Sequence, residues 1–515
     1  MKLSKKAKFM LFISLIILNI ILRFQVVPNE IFPDSVIIHI ITNSLTEFGY
    51  AKWVLHPLSI FGLYPLSECS AVPFFLSGIT QTTGMEMRWV IFLYCVFIGI
   101  LSMFTAYLMA GELIDNDVFK ILVAFGFSTS PAVLGYTTWT IPLRGLLVVL
   151  APLLIYLLLK CHTSVKYIPL TVIFAILLFA THHLFYFLIP AFFAFFILSA
   201  CFKLHKHFRN IKIPGKLTPF IPITGFFAMF SIPFFTGRFI EYSRYAPINE
   251  SYVRYIGILI IFAVGGLAYI ILKHKKSFGE WFLLLTIIIL TTFIYEQTYM
   301  KWFLIVFTIP LAGIGLINVI KVSKKRKYML PTIVIFLLLA LCFSAYYQFI
   351  HFLPKLETNS IHERYMEEST YKAGRWMKEY IVNGSAIAND MLFGNRIFAA
   401  AETTHLLVPY GMIDQIYGFI NVNTSKFKRY PITSEEFWFS GYEGPAFGEM
   451  AWESVHKGSS LQKFNIAYMI ENRRTKGEVV WHHSSRPVML LKLAYDEKDC
   501  IYNSGNIRIW NVNQL

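Results

Sequence analysis

The chain has 515 residues, of which 56% are hydrophobic, 17% aromatic and only 15% charged, against about 25% charged in an ordinary globular domain. Such an excess excludes a soluble fold, because the apolar residues gather in runs close to the roughly 20 residues an α-helix needs to cross hydrocarbon. The formal charge of +16 sits mostly in short connections between those runs, which is the positive-inside pattern and excludes a nucleic-acid groove as its reason.

In chain order, a basic start (Lys2 to Lys8) precedes an apolar run from Phe9 to Val27. That run is too long for a signal-peptide core and no small-residue cleavage pattern follows, so it reads as a retained first span. Further runs fall near 89–110, 119–136, 142–159, 167–182, 184–202, 218–235, 255–272, 280–296, 302–320 and 329–350, giving about eleven spans. The weak joint is 167–202, interrupted only by Thr181, His182 and His183. Charge favours a split there. With the N-terminus inside, the inner loops then hold Lys160 and Lys166, the cluster from Lys203 to Lys216, Lys273 to Lys276, and Lys321 to Lys327, whereas the outer connections carry scattered Arg88, Arg238, Arg244, Arg254 and Lys301.

The expected architecture is therefore a polytopic α-helical membrane domain over 1–350, with a long first outer loop at 28–88, and a soluble extracytoplasmic α/β domain over 351–515. In the latter, 363–382 reads as an amphipathic helix, while 385–390, 405–409, 464–470 and 488–495 read as strands. Residues 500–512 read as a closing hairpin turning at Asn503-Ser504-Gly505. Sequons at Asn249, Asn383 and Asn423 all fall on the expected outer side. The six cysteines show no CxxC and no metal spacing, and only Cys69 and Cys500 share the outer side, so at most one bridge is open to them.

Residues 31–53 hold the most informative acid. Asp34 follows Pro33 at the membrane exit, where a carboxylate is costly unless it has a role or a partner. Val36, Ile37, Ile40, Ile41 and Leu45 recur at near-helical spacing opposite Asn43 and Glu47, a pattern that suits a helix lying in the interface plane. Two roles fit Asp34: capping that helix or acting as a base.

An Asp shortly after the first span, an amphipathic helix ending in Gly49 and an aromatic-rich remainder at 56–78 together resemble the GT-C membrane glycosyltransferases. The likeness is to protein mannosyltransferase-like enzymes and to oligosaccharyltransferase catalytic subunits. It implies that Asp34 stands at the reaction centre, as the base that accepts the acceptor's proton or as a metal ligand. It also implies a polyprenyl-phosphate-linked sugar as donor, with a glycan, lipid or protein as acceptor. Candidates to hold the donor phosphate are Arg144, His182, His183 and Arg238, with snorkelling (Arg144) and helix capping (the histidines) as the alternatives. Glu241 and Glu296 are supporting carboxylates, or partners of Arg244 and Lys301. The second outer loop (135–141) has no carboxylate and a WWDYG-type motif is absent, FWFSGYEG at 437–444 being a loose echo. A metal-independent transfer of a monosaccharide, with inversion, therefore fits better than a divalent-metal-dependent oligosaccharyl transfer. A transporter or flippase of lipid-linked material, or a non-catalytic glycan-binding membrane protein, is the alternative.

Overall fold

In a computed structural model, the described residues are 2–24, 27–49, 71–207, 254–293, 300–323, 329–352 and 365–381. Beyond these come 385–388, 391–402, 406–407, 428–434, 442–443, 466–472 and 499–512, with Thr224 and Phe437 singly. The helices are α1 (Lys5–Leu22), α2 (Pro33–Phe48), α3 (Ala71–Thr83), α4 (Met87–Leu113), α5 (Asp117–Ser128), α6 (Pro131–Thr137), α7 (Leu143–Thr163) and α8 (Ile168–Thr181). They continue with α9 (Ile189–His207), α10 (Ile260–Leu272), α11 (Phe278–Phe293), α12 (Met300–Ser323), α13 (Met329–Phe352), α14 (Glu368–Tyr380) and α15 (Met391–Ala401).

Among the described residues, five segments are long and apolar enough to cross a membrane: Met87–Leu113, Leu143–Thr163, Leu184–Lys203, Arg254–Leu272 and Phe303–Val322. A bent pair, α5 with α6, makes up to six. Three shorter apolar helices accompany them, at Val165–Thr181, Phe278–Thr291 and Leu330–Tyr346. The chain is a polytopic helical membrane protein. Of the expected runs, 218–235 lies outside the described residues apart from Thr224. The run expected as one span at 119–136 is two helices meeting at 54°. Pro131 cannot continue α5, and the Ser130 hydroxyl accepts from the Val133 amide at 3.4 Å to start a new helix. At the weak joint the chain does break. His182 is extended (φ −161°), α8 ends before it, and a 3-10 turn from His183 to Leu188 leads into α9.

One end of the bundle gathers charge. Lys8 pairs with Asp117 at 2.8 Å, Lys120 with Asp115 at 2.8 Å, Lys160 with Glu112 at 2.8 Å and Lys273 with Glu280 at 2.6 Å. These are the tips of α1, α4, α5, α7 and α11, all expected on the inner side. Deeper in the bundle, α10 and α12 touch backbone to backbone. A Cβ at Gly266 would lie 1.9 Å from the Leu311 carbonyl oxygen, and one at Gly315 would lie 2.2 Å from that of Phe262. Small residues permit this approach where no hydrophobic force separates helix from lipid.

The C-terminal region forms a mixed five-stranded sheet in the order β2 (Leu406–Leu407), β1 (Ser385–Ala388), β5 (Ile466–Asn472), β7 (Ile507–Asn511), β6 (Cys500–Asn503). β1 runs parallel to β2 and β5; β7 is antiparallel to β5 and β6, with Met469 opposite Trp510 and Ile470 opposite Ile509. A separate ribbon pairs β3 (Lys428–Arg429) with β4 (Tyr442–Glu443). The expected hairpin is present, with Gly505 at φ 84° in its turn. The expected strand at 488–495, the sequons and Cys69 lie outside the described residues. The Cys500 thiol donates to the Tyr502 carbonyl at 3.3 Å.

Helix α2 departs from expectation. From Ser35 to Leu45 all residues but Ile37 are buried, because α3 covers one side and α15 another. Its apolar face meets protein, not a membrane surface, and the amide of Asn43 donates to the Ala399 carbonyl at 2.8 Å.

Candidate active site around Asp34 and Arg144

Asp34 is set by an unusual start to its helix. The Ile31 amide donates to the Trp139 carbonyl at 2.8 Å, fixing the chain just before the turn. Phe32 then takes φ 68° and ψ 147°, close to a region that is essentially restricted to glycine. Pro33 occupies N1, where its missing N–H costs nothing, and the Ser35 hydroxyl accepts from the Ile141 amide at 3.0 Å. Between these anchors the Asp34 side chain stands 51% exposed in the first turn of α2, where the helix dipole favours an anion.

Its partner is Arg144, in the first turn of α7 and 25% exposed, whose Nη2 donates to Asp34 Oδ2. The guanidinium also lies 5.9 Å from the centroid of the Tyr136 ring. Trp139, which receives Ile31, is itself at φ 54° and stacks on Phe92 at 5.4 Å. Thus both strands of chain that deliver the pair pass through backbone conformations costing about 1–3 kcal/mol each. Arg144 and Arg254 both lie within electrostatic range of the half-buried Tyr255 hydroxyl, which brings a second guanidinium to the same neighbourhood.

Beneath this surface pair is a buried polar layer. Glu30 and His39 are 0% and 2% exposed and meet at 2.7 Å. Burial alone would raise the Glu30 carboxyl, but the His39 charge and hydrogen bond, with Arg396 farther off, hold it below its ordinary value. Glu30 also accepts from the Met366 amide through its carbonyl at 3.3 Å, and the Asn29 amide donates to the Met366 carbonyl at 3.2 Å. On the bundle side, Arg23 is wholly buried and donates to Thr137 Oγ1 at 2.9 Å, Asn19 Oδ1 at 2.8 Å and the Ser128 carbonyl at 3.1 Å. It ties α1 to both halves of the bent pair.

Of the residues singled out from sequence, Asp34 and Arg144 are brought into contact. His182 is buried, its Nδ1 accepting from the Leu184 amide at 3.0 Å, so it caps the 3-10 turn. His183 opens that turn. Arg238, Glu241 and Glu296 lie outside the described residues. Sequence reasoning missed Tyr255 as a neighbour of Arg144, and missed the Glu30–His39 pair. The signal for the latter was available: two ionisable residues nine apart flanking the exit of the first span. Among the described residues no group of three or more His, Cys, Asp or Glu side chains is placed to hold a metal ion.

No family model matches the chain, and no curated protein matches it in sequence. Solved structures do. The oligosaccharyltransferase of Archaeoglobus fulgidus, in a crystal structure with zinc and sulfate, superposes with a TM-score of 0.52 at 14% identity, covering 90% of this chain and 68% of that one. Apo ArnT from Cupriavidus metallidurans superposes with a TM-score of 0.52 at 11% identity, covering 98% of each chain. Both neighbours are GT-C glycosyltransferases, and the chain has a GT-C-like fold.

Proposed function

We propose that the chain is a membrane glycosyltransferase that moves a sugar from a polyprenyl-phosphate carrier to an acceptor at the outer membrane face, with Asp34 as base. The observation that carries this reading is the Asp34–Arg144 pair, an exposed carboxylate held by a guanidinium at the strained start of α2. The GT-C-like fold agrees with it. In this reading the N-terminus and the lysine-rich end of the bundle are cytoplasmic, the domain beyond residue 351 is extracytoplasmic, and eleven spans cross the membrane.

The guanidinium of Arg144 has five N–H donors in a planar fork. One edge engages Asp34, and the same positive charge would attract a phosphate oxygen, with Arg254 adding a second positive charge nearby. Asp34 takes the proton from the acceptor's hydroxyl or amide as its heteroatom attacks the anomeric carbon. The carbon–oxygen bond to phosphate breaks on the opposite face, so configuration inverts, and the lipid phosphate leaves with the electron pair against the two arginines. His182 and His183, at the joint between α8 and α9, and Arg238 are the further candidates for the donor phosphate, and Glu241 and Glu296 the candidate supporting carboxylates.

The test is transfer from a labelled polyprenyl-phosphate sugar in membranes. Asp34→Asn is expected to lower the rate by about 10²–10⁴ with unchanged expression. Full activity in that variant sinks the assignment, and movement of an intact lipid-linked substrate without transfer would favour a flippase.

A further inference from the structure

At the far end of α2 from Asp34 lies a cavity of about 280 Å³, walled by the ends of α2 and α3, the start of α4, helix α14 and the end of α15. Its charged wall is unusual. Glu402 sits just past α15 at φ 55°, a left-handed position rare for a side-chain-bearing residue. From there it meets Arg375 at 2.8 Å through one oxygen and Lys378 through the other. Arg375 also reaches Glu86 at 3.7 Å. Glu47, on the lining and exposed, makes no ion pair among the described residues, and the buried Asn43 completes the polar side.

This lining narrows the ligand. Three carboxylates face an incoming anion unfavourably, and a fixed guanidinium and ammonium do the same to a simple cation. An apolar occupant would strip water from all five charges. A saccharide matches, because each of its hydroxyls both donates and accepts. Vicinal hydroxyls can therefore donate a hydrogen bond to a carboxylate while accepting one from the neighbouring Arg375 or Lys378. Helical rise puts Asn43 roughly 14 Å along α2 from Asp34, too far for the transferred sugar itself.

We infer that this cavity is a saccharide-binding subsite, for sugar units remote from the reacting atom, formed jointly by the first outer loop and the C-terminal domain. Its chemistry stands on the lining; only its role as part of a substrate site rests on the transferase reading. The units belong either to the acceptor glycan or to the outer sugars of a longer donor.

Binding of a panel of methyl glycosides to the full-length chain in detergent, followed by saturation-transfer NMR, tests it. At least one glycoside is expected to bind the native chain and Asp34→Asn alike, with affinity about tenfold lower in Glu402→Gln. Glu47→Gln, an exposed residue outside any ion pair among the described residues, should weaken binding in the same direction, which separates loss of the subsite from loss of the fold. Absence of binding to the native chain, or native affinity retained in both cavity variants, overturns the proposal. If glycosides bind as expected while the native chain transfers no sugar from a polyprenyl-phosphate carrier, the subsite stands and the transferase reading falls. In the transfer assay, a raised donor KM in Glu47→Gln assigns the bound units to the donor, and an unchanged donor KM assigns them to the acceptor.

Discussion

At the residue scale the site divides into a wet pair and a dry pair. Asp34 with Arg144 is open to solvent and screened, so it adds little stability; in the proposed reading its worth lies in chemistry. Replacing Arg144 by Lys keeps the charge and loses the fork. Donor KM is expected to rise about tenfold in steady-state transfer assays, with kcat less affected. Glu30 with His39 is buried, and there removing one partner strands the other. His39→Ala should cost about 3–5 kcal/mol, read as a fall in the unfolding midpoint. The depressed Glu30 carboxyl also sets an acid limit. Its stabilising share is complete above the ordinary glutamate value of 4.5 and is lost as pH falls through its lower folded value. The melting temperature of the native chain should therefore decline below about pH 4.5, and Glu30→Gln should flatten that decline.

At the element scale, α2 matters most. Its start stores backbone strain at Phe32, a residue 37% exposed. Phe32→Gly should stabilise the chain by about 1 kcal/mol, since glycine tolerates that backbone region, yet lower transfer by loosening Asp34. A chemical melt and a transfer assay on one preparation separate the two effects. The helices were largely legible in the sequence because apolar runs of membrane length leave few alternatives, and the hairpin at Asn503-Ser504-Gly505 announced itself through turn chemistry. Other features were not legible. An apolar stripe on α2 looks the same whether lipid or α15 covers it. The α5–α6 bend falls at Ser128-Thr129-Ser130-Pro131, a short polar stretch inside a run apolar enough on both sides to read as one span. Helix α15 (MLFGNRIFAAA) has an apolar pattern too broad to assign before its neighbours are known. Asp34 and Arg144 were visible as isolated oddities, but their contact spans 110 residues and no local periodicity encodes it.

At the scale of the whole molecule, lysine-bearing helix ends and the Asp34 end lie at opposite poles of the bundle. Cysteine scanning with an impermeant thiol reagent in intact cells checks the orientation: a cysteine at Ser504 is expected to label, and one at Asp115 only after permeabilisation. The contacts of Asn29 and Glu30 with Met366, and of Asn43 with Ala399, make α2 a strut clamped to the C-terminal domain at both ends. A strut carries load in either direction. Whatever free energy one ligand spends in tightening this clamp is returned, by linkage, as the same factor in affinity for a ligand at the other end. Sugar and lipid phosphate would then sense each other through a single rigid helix, without ever being in contact.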